Sequence, residues 1–231
     1  MKNSNPGISI IIPTYNEAGT IKTTIGHLKN LNCSPEVIVV DGGSTDSTLS
    51  LIGAGVKILQ SPKGRAVQMN AGAQAAAGEI LLFLHSDTRL PDDGLQQITT
   101  ALANQKVAGG AFKLRFDQPG LFFYLAALGS NLRAALTGIY FGDQAIFARR
   151  RDFLRLGGYP AVELMEDWIF SRKLRLAGRT VLLKGPVITS ARRWLTYGKW
   201  HTAWLLHKIK FLYLLGVSPA DLKRLYSDRR R

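Results

Sequence analysis

Apolar runs alternate with helical patterns of hydrophobic residues over the first half of the chain. Four short, largely apolar runs predict strands, at residues 8–12, 37–40, 56–59 and 79–84. Apolar residues at helical spacing predict helices between and after them, at residues 20–31, 46–52 and 66–77 and from Pro91 onward. Asp46 or Ser47 would cap the short second helix. Strands that are almost continuously apolar and alternate with helices are typical of a parallel sheet covered on both faces, so we expect an α/β fold.

The pattern is less regular after Asn104. It predicts two strands and two helices, at residues 109–116, 145–147, 120–136 and 166–178. A last helix, aromatic and basic, is predicted within residues 200–217. We interpret residues 1–191 as one domain and residues 192–231 as a basic helical extension.

Polar residues follow each predicted strand of the first half. They are Pro13-Thr14-Tyr15-Asn16-Glu17, then Asp41, then Lys63-Gly64-Arg65, and finally His85-Ser86-Asp87. Because parallel strands end at one edge of a sheet, and ligands bind outside that edge, we expect these residues to form one site. Each segment taken alone also has a structural explanation, since Asp41 fits a helix cap and the basic segment fits an exposed turn.

In order and spacing, these segments together resemble the inverting family 2 glycosyltransferases of the GT-A fold, over about residues 8–194. The resemblance implies a mostly parallel sheet with helices on both faces and a UDP or GDP sugar as donor. It implies that Tyr15 packs on the base and that Glu17 and Asp41 bind the base or the ribose hydroxyls. The other donor-binding residues that it implies are Pro13, Lys63, Gly64, Arg65, Ser86 and Arg193.

The family's metal motif is Asp-x-Asp after the fourth strand, where this chain has His85-Ser86-Asp87. The resemblance implies that Asp87 holds a divalent Mg²⁺ or Mn²⁺ on the donor diphosphate. His85 would be a second ligand, a ribose contact or a structural substitute. One carboxylate with phosphate and water oxygens is sufficient for such hard cations. The variant motif is similar to that of a subgroup of small bacterial enzymes.

An acidic pair, Glu166-Asp167, is similar to the pair that begins an acceptor-side helix in the family. The resemblance implies that Asp167 is the general base, with Glu166 beside it, because one-step inversion needs a single base opposite the leaving group. Two acids in a first helical turn would also simply favour the helix dipole. Gly142-Asp143-Gln144 resembles a turn near the acceptor. Arg193 matches part of a signature of processive relatives, but Ser190 replaces its glutamine, so we do not expect polymer synthesis.

The positive charge lies in the last third of the chain. The net charge is +14, of which residues 192–231 carry +8 and residues 1–148 only +1. This distribution is unlike that of a nucleic-acid binder and favours an anionic membrane surface. Residues 200–217 contain lysines and histidines, so we expect an interfacial rather than a spanning helix. The alternative is a helix packed on its own domain, which predicts burial of Trp200 and Trp204.

Several other classes of protein fit the sequence less well. The first strand lacks the glycine-rich turn of dinucleotide-binding dehydrogenases and of nucleotidyltransferases, and the chain has no P-loop. A catalytically inactive protein that binds a sugar nucleotide or a membrane remains an alternative, because His85 replaces a metal ligand. The single cysteine, Cys33, excludes an internal disulfide, and the first residues lack the pattern of a signal peptide. We therefore expect a cytoplasmic enzyme, on the inner face of the membrane, with a lipid-like or small-molecule acceptor.

Overall fold

A computed structural model describes residues 7–31 and 34–228 of the chain. Cys33 and the N-terminal residues that carry the signal-peptide prediction lie outside these ranges.

The strands of the described residues form one eight-stranded sheet in the order β3-β2-β1-β4-β7-β6-β8-β5. Their bounds are β1 Ile8–Thr14, β2 Glu36–Asp41, β3 Lys57–Gln60, β4 Ile80–Phe83, β5 Thr88–Arg89, β6 Val107–Phe116, β7 Phe147–Arg149 and β8 Arg179–Thr189. β1 is parallel to both β2 and β4, β2 is parallel to β3, and β6 is parallel to β8. β7 is antiparallel to both β4 and β6, and β5 is antiparallel to β8. The sheet is therefore mostly parallel.

Helices cover both faces of this sheet. In the described ranges their bounds are α1 Ile21–Lys29, α2 Arg65–Ala75, α3 Gly94–Ala103, α4 Leu121–Thr137, α5 Arg150–Arg155, α6 Glu166–Ala177, α7 Arg192–Tyr197, α8 Lys199–Leu214 and α9 Pro219–Asp228. Ile10 and Ile12 of β1 face α1 and α3, whereas Ile11 faces α2. α2 packs so closely on β1 that a Cβ on Gly72 would lie 2.4 Å from the Cγ2 of Ile11. The two apolar layers confirm the predicted α/β class.

Local departures from the predicted elements have identifiable causes. The short helix expected at residues 46–52 is a single 3₁₀ turn, Leu49–Leu51, since the Asp46 carboxylate binds the backbone N–H and hydroxyl of Thr48 instead. The strand expected at residues 145–147 begins only at Phe147, because Ala145 is left-handed with φ of 50°. β8 and α5 were not predicted at all.

Helices α8 and α9 pack against the beginning of α6. Leu205 and Ile209 of α8 and Leu222 and Tyr226 of α9 form a third apolar cluster with Met165, the residue before α6. The ring of Trp168 lies 5.8 Å from that of Tyr213 in the same region. Among the described residues, no helix combines the length and the apolar character that crossing a membrane requires.

Candidate active site

The polar segments after β1, β2 and β4 lie at one edge of the sheet, as predicted. Pro13 is in register with Val40, and Thr14 with Asp41, at the ends of β1 and β2. Leu84 continues β4 beside β1 by donating its N–H to the carbonyl of Ile11. His85, Ser86 and Asp87 therefore emerge next to the residues that follow β1.

Asp41 is fully buried and shapes the loop that follows β2. Its Oδ2 accepts the backbone N–H groups of Gly43 and Ser44, each at 2.9 Å, and its Oδ1 accepts the Ser44 hydroxyl at 2.5 Å. The hydroxyl of Ser44 in turn accepts the N–H of Asn16 at 2.9 Å. The carboxylate thus fixes the loops after β1 and β2 against each other. Its contact with a donor ribose stays a prediction.

Tyr15 and Lys63 come together although they follow different strands. The Lys63 Nζ lies 3.5 Å from the centroid of the Tyr15 ring, in a cation–π contact. Gly64, with φ of 151°, lets the chain turn from this lysine into α2, which begins at Arg65. The three segments after β1, β2 and β3 therefore form one continuous surface.

A cation from the C-terminal segment, Arg192, lies between two carboxylates of this edge. Its Nη2 donates to Oε2 of Glu17 at 2.9 Å and lies 4.0 Å from Oδ2 of Asp87. Burial and the charge of Glu17 raise the pKa of Asp87, whereas Arg192 and Arg193 act to lower it. Arg192 was not predicted to be a site residue. The only feature of the sequence that could have indicated it is its position next to Arg193.

The 3₁₀ turn Gly142–Gln144 joins this edge of the sheet to the start of α6. The Gly142 N–H donates to Oδ2 of Asp167 at 2.8 Å. A Cβ on Gly142 would lie 2.4 Å from Nε2 of His85 and 3.0 Å from that same Oδ2, so glycine is required for this close approach. Burial, with Arg65 and Arg193 adding to it, lowers the pKa of His85 well below 6.5 and keeps its ring neutral.

Asp167 is a buried carboxylate with one oxygen held and the other without a partner. Within residues 7–31 and 34–228, Oδ1 of Asp167 and Nε2 of His85 are buried and accept or donate no hydrogen bond. Burial and the adjacent Glu166 raise the pKa of Asp167 to about 8, against the lowering effects of Arg65 and the Gly142 N–H. Burial alone would lower the pKa of Arg65, but Glu166, Tyr226 and Asp167 raise it overall.

A second charged cluster adjoins Asp167 on the side of the C-terminal helices. Burial raises the pKa of Asp143 despite the opposing charges of Arg133, Arg193 and Lys210, among others. Arg133 of α4 donates to Oε1 of Gln144 at 2.6 Å. Burial and Arg133 lower the pKa of Lys210 in α8 to about 8, although Asp143 opposes them. Arg133 and Lys210 were not predicted, because only the fold brings α4 and α8 together.

The surroundings of Asp87 and His85 bear on whether these predicted metal ligands could hold a divalent cation. The described residues contain no group of three or more His, Cys, Asp or Glu side chains arranged to hold a metal. However, the guanidinium of Arg192 lies between Glu17 and Asp87, so this space already stabilises a cation. A carboxylate that supplies one ligand, with phosphate and water supplying the rest, fits this arrangement. Nε2 of His85 points toward Gly142, and the role of His85 as a ligand stays a prediction.

The remaining predicted residues are buried in the edge or placed beside it. Ser86 is buried, and its carbonyl accepts the Thr24 hydroxyl of α1 at 2.6 Å. Arg193 lies 5.6 Å from the ring centroid of Tyr226 and acts electrostatically on both His85 and Asp143. All the predicted site residues therefore belong to one region of the molecule, and their individual roles stay predictions.

Known proteins are similar to this chain in sequence and in fold. A PGL/p-HBAD biosynthesis glycosyltransferase of Mycobacterium bovis is 29% identical over 177 residues, which cover 72% of this chain and 68% of that protein. The mannosyltransferase PcManGT from Pyrobaculum calidifontis, solved with GDP-Man and Mn²⁺, has a TM-score of 0.67 at 21% identity, covering 98% of this chain and 70% of that one. S. aureus TarS in complex with UDP also has a TM-score of 0.67, at 22% identity.

The structural similarity shows a GT-A-like fold, and the family match shows the class of enzyme. The alignment with TarS covers 80% of this chain but only 60% of the TarS chain. Residues 9–156 match the model of "Glycosyl transferase family 2". This match covers more than half of the sequence and includes the segments after β1, β2 and β4. The chain therefore belongs to glycosyl transferase family 2 and is a transferase enzyme.

Proposed function

We propose that this enzyme transfers a sugar from a UDP or GDP sugar to a hydroxyl or carboxyl acceptor, with inversion at the anomeric carbon. The observation that carries the proposal is the state of Asp167. One oxygen of this buried carboxylate is fixed by the Gly142 N–H, and the other has no partner among the described residues. A general base must offer an oxygen that can take the proton from the O–H group of the sugar acceptor. The unpartnered Oδ1 of Asp167, beside the edge that would bind the sugar donor, meets this requirement.

The proton transfer fits the electrostatics of Asp167. As the acceptor O–H attacks, its proton moves to Oδ1 while the acceptor oxygen bonds to the anomeric carbon and the bond to the diphosphate oxygen breaks. Burial and Glu166 raise the pKa of Asp167 to about 8, which makes its ionised form a stronger base than an exposed aspartate. Arg65 opposes this rise, and because only the ionised form can accept a proton, we expect the rate of transfer to increase as the pH approaches about 8.

The donor would lie along the edge formed by the segments after β1, β2 and β4. Tyr15 and Lys63 form a partly exposed surface on which the nucleobase of the donor could pack. The positive charges of Arg65 and Arg193 suit the donor's diphosphate. Asp87 would hold Mg²⁺ or Mn²⁺, as the complex of the similar mannosyltransferase with GDP-Man and Mn²⁺ supports. Such a cation offsets the charge of the leaving diphosphate.

The acceptor would be lipid-like, and the enzyme cytoplasmic and peripheral on the inner face of the membrane. Support comes from the basic charge of residues 192–231, net +8, and from the placement of α8 and α9 against the start of the Asp167 helix. A buried cationic cluster of Arg133 and Lys210 next to Asp143 also favours an acceptor that carries a negative group.

A panel of UDP and GDP sugars with Mn²⁺ tests the proposal, first for binding and then for transfer to lipid acceptors. Asp167→Asn should bind the donor normally but release nucleoside diphosphate about 10²–10⁴-fold more slowly. Asp152→Asn, which changes a carboxylate paired with Arg155 on α5, is the matched control and should transfer normally. Retained transfer in Asp167→Asn, or a product with retained configuration, would contradict the assignment. Donor binding by the unaltered enzyme without any transfer would favour an inactive binding protein.

A further inference from the structure

An exposed stripe of leucines runs along the outer side of α4. The buried side of this helix is formed by Phe123, Ala127 and Ala134. On the opposite side, large apolar residues recur every three or four positions and remain exposed, namely Leu121, Leu125, Leu128, Leu132 and Leu136, with Tyr124 beside them. Leu136 is 76% exposed. A helix of a water-soluble domain normally places polar residues on this side.

Helix α8 repeats this arrangement. Thr202, Leu205 and Ile209 form its buried side. Its opposite side exposes Trp200, Trp204, Phe211 and Leu214 at helical spacing. Trp200 is 78% exposed and Trp204 is 50% exposed, so the burial expected for a simply packed helix does not occur. The helix is packed on the domain and still presents large aromatic residues to solvent.

The two helices lie side by side. The Phe122 ring of α4 is 5.0 Å from the Trp200 ring, and the Lys199 Nζ lies 5.1 Å from the Phe123 centroid. Farther along both helices, Arg133 lowers the pKa of Lys210, so these two cations are also neighbours. The exposed residues of α4 and α8 therefore form one surface, the α4–α8 face, consisting of Leu121, Tyr124, Leu125, Leu128, Leu132, Leu136, Trp200, Trp204, Phe211 and Leu214.

The charges of the two helices indicate what covers this face. α4 and α8 contain no acidic residue, whereas they contain Arg133, Lys199, Lys208 and Lys210. The Lys208 Nζ lies 4.9 Å from the Trp204 ring centroid, so a cation accompanies the exposed aromatics. A second copy of the chain would place these cations against one another. An anionic lipid surface instead offers headgroups to the cations and acyl chains to the leucines and tryptophans.

We propose that the α4–α8 face docks on an anionic bilayer, with the leucines of α4 and the aromatics of α8 inserted at the interface. This inference rests on the proposed function in one respect, namely that the acceptor is lipid-like. The α4–α8 face would be the surface along which such an acceptor reaches Asp167. Arg133 and Lys210 connect the face to Asp143, which lies within the 3₁₀ turn whose Gly142 N–H binds Asp167. The face would thus bring the acceptor side of the site to the level of the headgroups.

Co-sedimentation with phosphatidylcholine vesicles containing phosphatidylglycerol tests the proposal at two salt concentrations. At about 0.01 M salt the Debye length is about 30 Å, whereas at about 0.5 M salt it is roughly 4 Å and most of the charge attraction is screened. The unaltered chain should bind at low salt and retain part of its binding at high salt. Leu125→Glu/Leu132→Glu should reduce partitioning by about tenfold or more, and Leu125→Gln/Leu132→Gln should remove the salt-resistant part without adding charge. Leu176→Glu, at an 86% exposed leucine of α6, is the matched control and should bind like the unaltered chain.

The outcomes separate docking from catalysis. Equal binding by the unaltered chain and both double variants, with folding confirmed by circular dichroism, would overturn the proposal. The proposal would also be overturned if the unaltered chain did not bind anionic vesicles and instead formed a dimer that the double variants converted to monomers. Asp167→Asn should still bind vesicles. Vesicle binding without any binding of a UDP or GDP sugar would contradict the proposed function and leave the docking face intact.

Discussion

Asp167→Asn is expected to change the pH dependence of stability as well as the rate of transfer. Burial and Glu166 raise the pKa of Asp167 from 3.8 to about 8 in the folded chain. Below pH 3.8 the carboxyl is protonated in both the folded and the unfolded chain. As the pH rises toward 8, the unfolded chain releases this proton while the folded chain retains it, so the free energy of unfolding falls until the pH passes the folded-state pKa.

The size of this effect follows from the two pKa values. At about 1.36 kcal/mol for each unit, Asp167 lowers the free energy of unfolding by about 3 to 4 kcal/mol between pH 5 and pH 8. Asparagine cannot titrate, so this contribution disappears in the variant. Its amide oxygen can still accept the Gly142 N–H, whereas its amide nitrogen takes the unpartnered place of Oδ1. That unsatisfied donor costs about 1–3 kcal/mol, at every pH alike.

Urea unfolding of the unliganded chain at several values from pH 5 to pH 8 measures the difference. The stability of Asp167→Asn relative to the unaltered chain should rise with pH by about 3 kcal/mol across this interval. Asp152→Asn, which alters a carboxylate paired with Arg155, should follow the unaltered chain. If Asp167→Asn and the unaltered chain lose stability in parallel as the pH rises, Asp167 does not retain its proton in the folded state, and the reasoning fails.

Three further substitutions test the site. Gly142→Ala should cost about 1–3 kcal/mol in urea unfolding and reduce transfer, because its Cβ would lie 2.4 Å from Nε2 of His85 and 3.0 Å from Oδ2 of Asp167. Gly129→Ala, with open space around it, should be neutral or slightly stabilising. Asp87→Ala should abolish Mn²⁺-dependent nucleotide binding in calorimetry, and unchanged binding would exclude this residue as the metal ligand. Arg192→Ala should raise Mn²⁺ affinity by about two- to fivefold, because a competing cation is removed, whereas Arg224→Ala should leave that affinity unchanged.

The first half of the fold could be predicted because its signals are local. The run at residues 37–40 is β-branched and apolar throughout, and the run at residues 8–12 is interrupted only by Ser9. Both are buried between two layers of helices. β8 could not be predicted in this way. Its sequence mixes charged residues with Gly185 and Pro186, and most of its positions are only partly buried. It is a strand because β6 lies beside it, which is a tertiary contact without a local sequence pattern.

Some residues of the candidate site could likewise be placed from local sequence patterns, whereas the positions of others depend on tertiary contacts. Asp41, His85 and Asp87 could be placed together because parallel strands end at a common edge. Arg192 could not, since its position depends on how the C-terminal segment folds back onto that edge. The turn at Gly142 was expected near the acceptor, but its close approach to His85 and Asp167 depends on tertiary packing. For α8, the sequence allowed either a helix packed on the domain with Trp200 and Trp204 buried or an interfacial helix. In the structure one side of α8 packs on the domain, while its opposite side leaves Trp200 and Trp204 exposed.

The packing of α8 and α9 on the start of α6 has a consequence for the order of events during synthesis. β1 to β4 can pair as soon as the first half of the chain has left the ribosome, because each of these strands finds its partner within that half. Met165, which precedes Glu166 and Asp167, gains its apolar neighbours Leu205 and Leu222 only later. A nascent chain can therefore form the sheet edge at the ends of β1, β2 and β4 before Asp167 is fixed in place. Activity would then emerge late, after the C-terminal helices have docked.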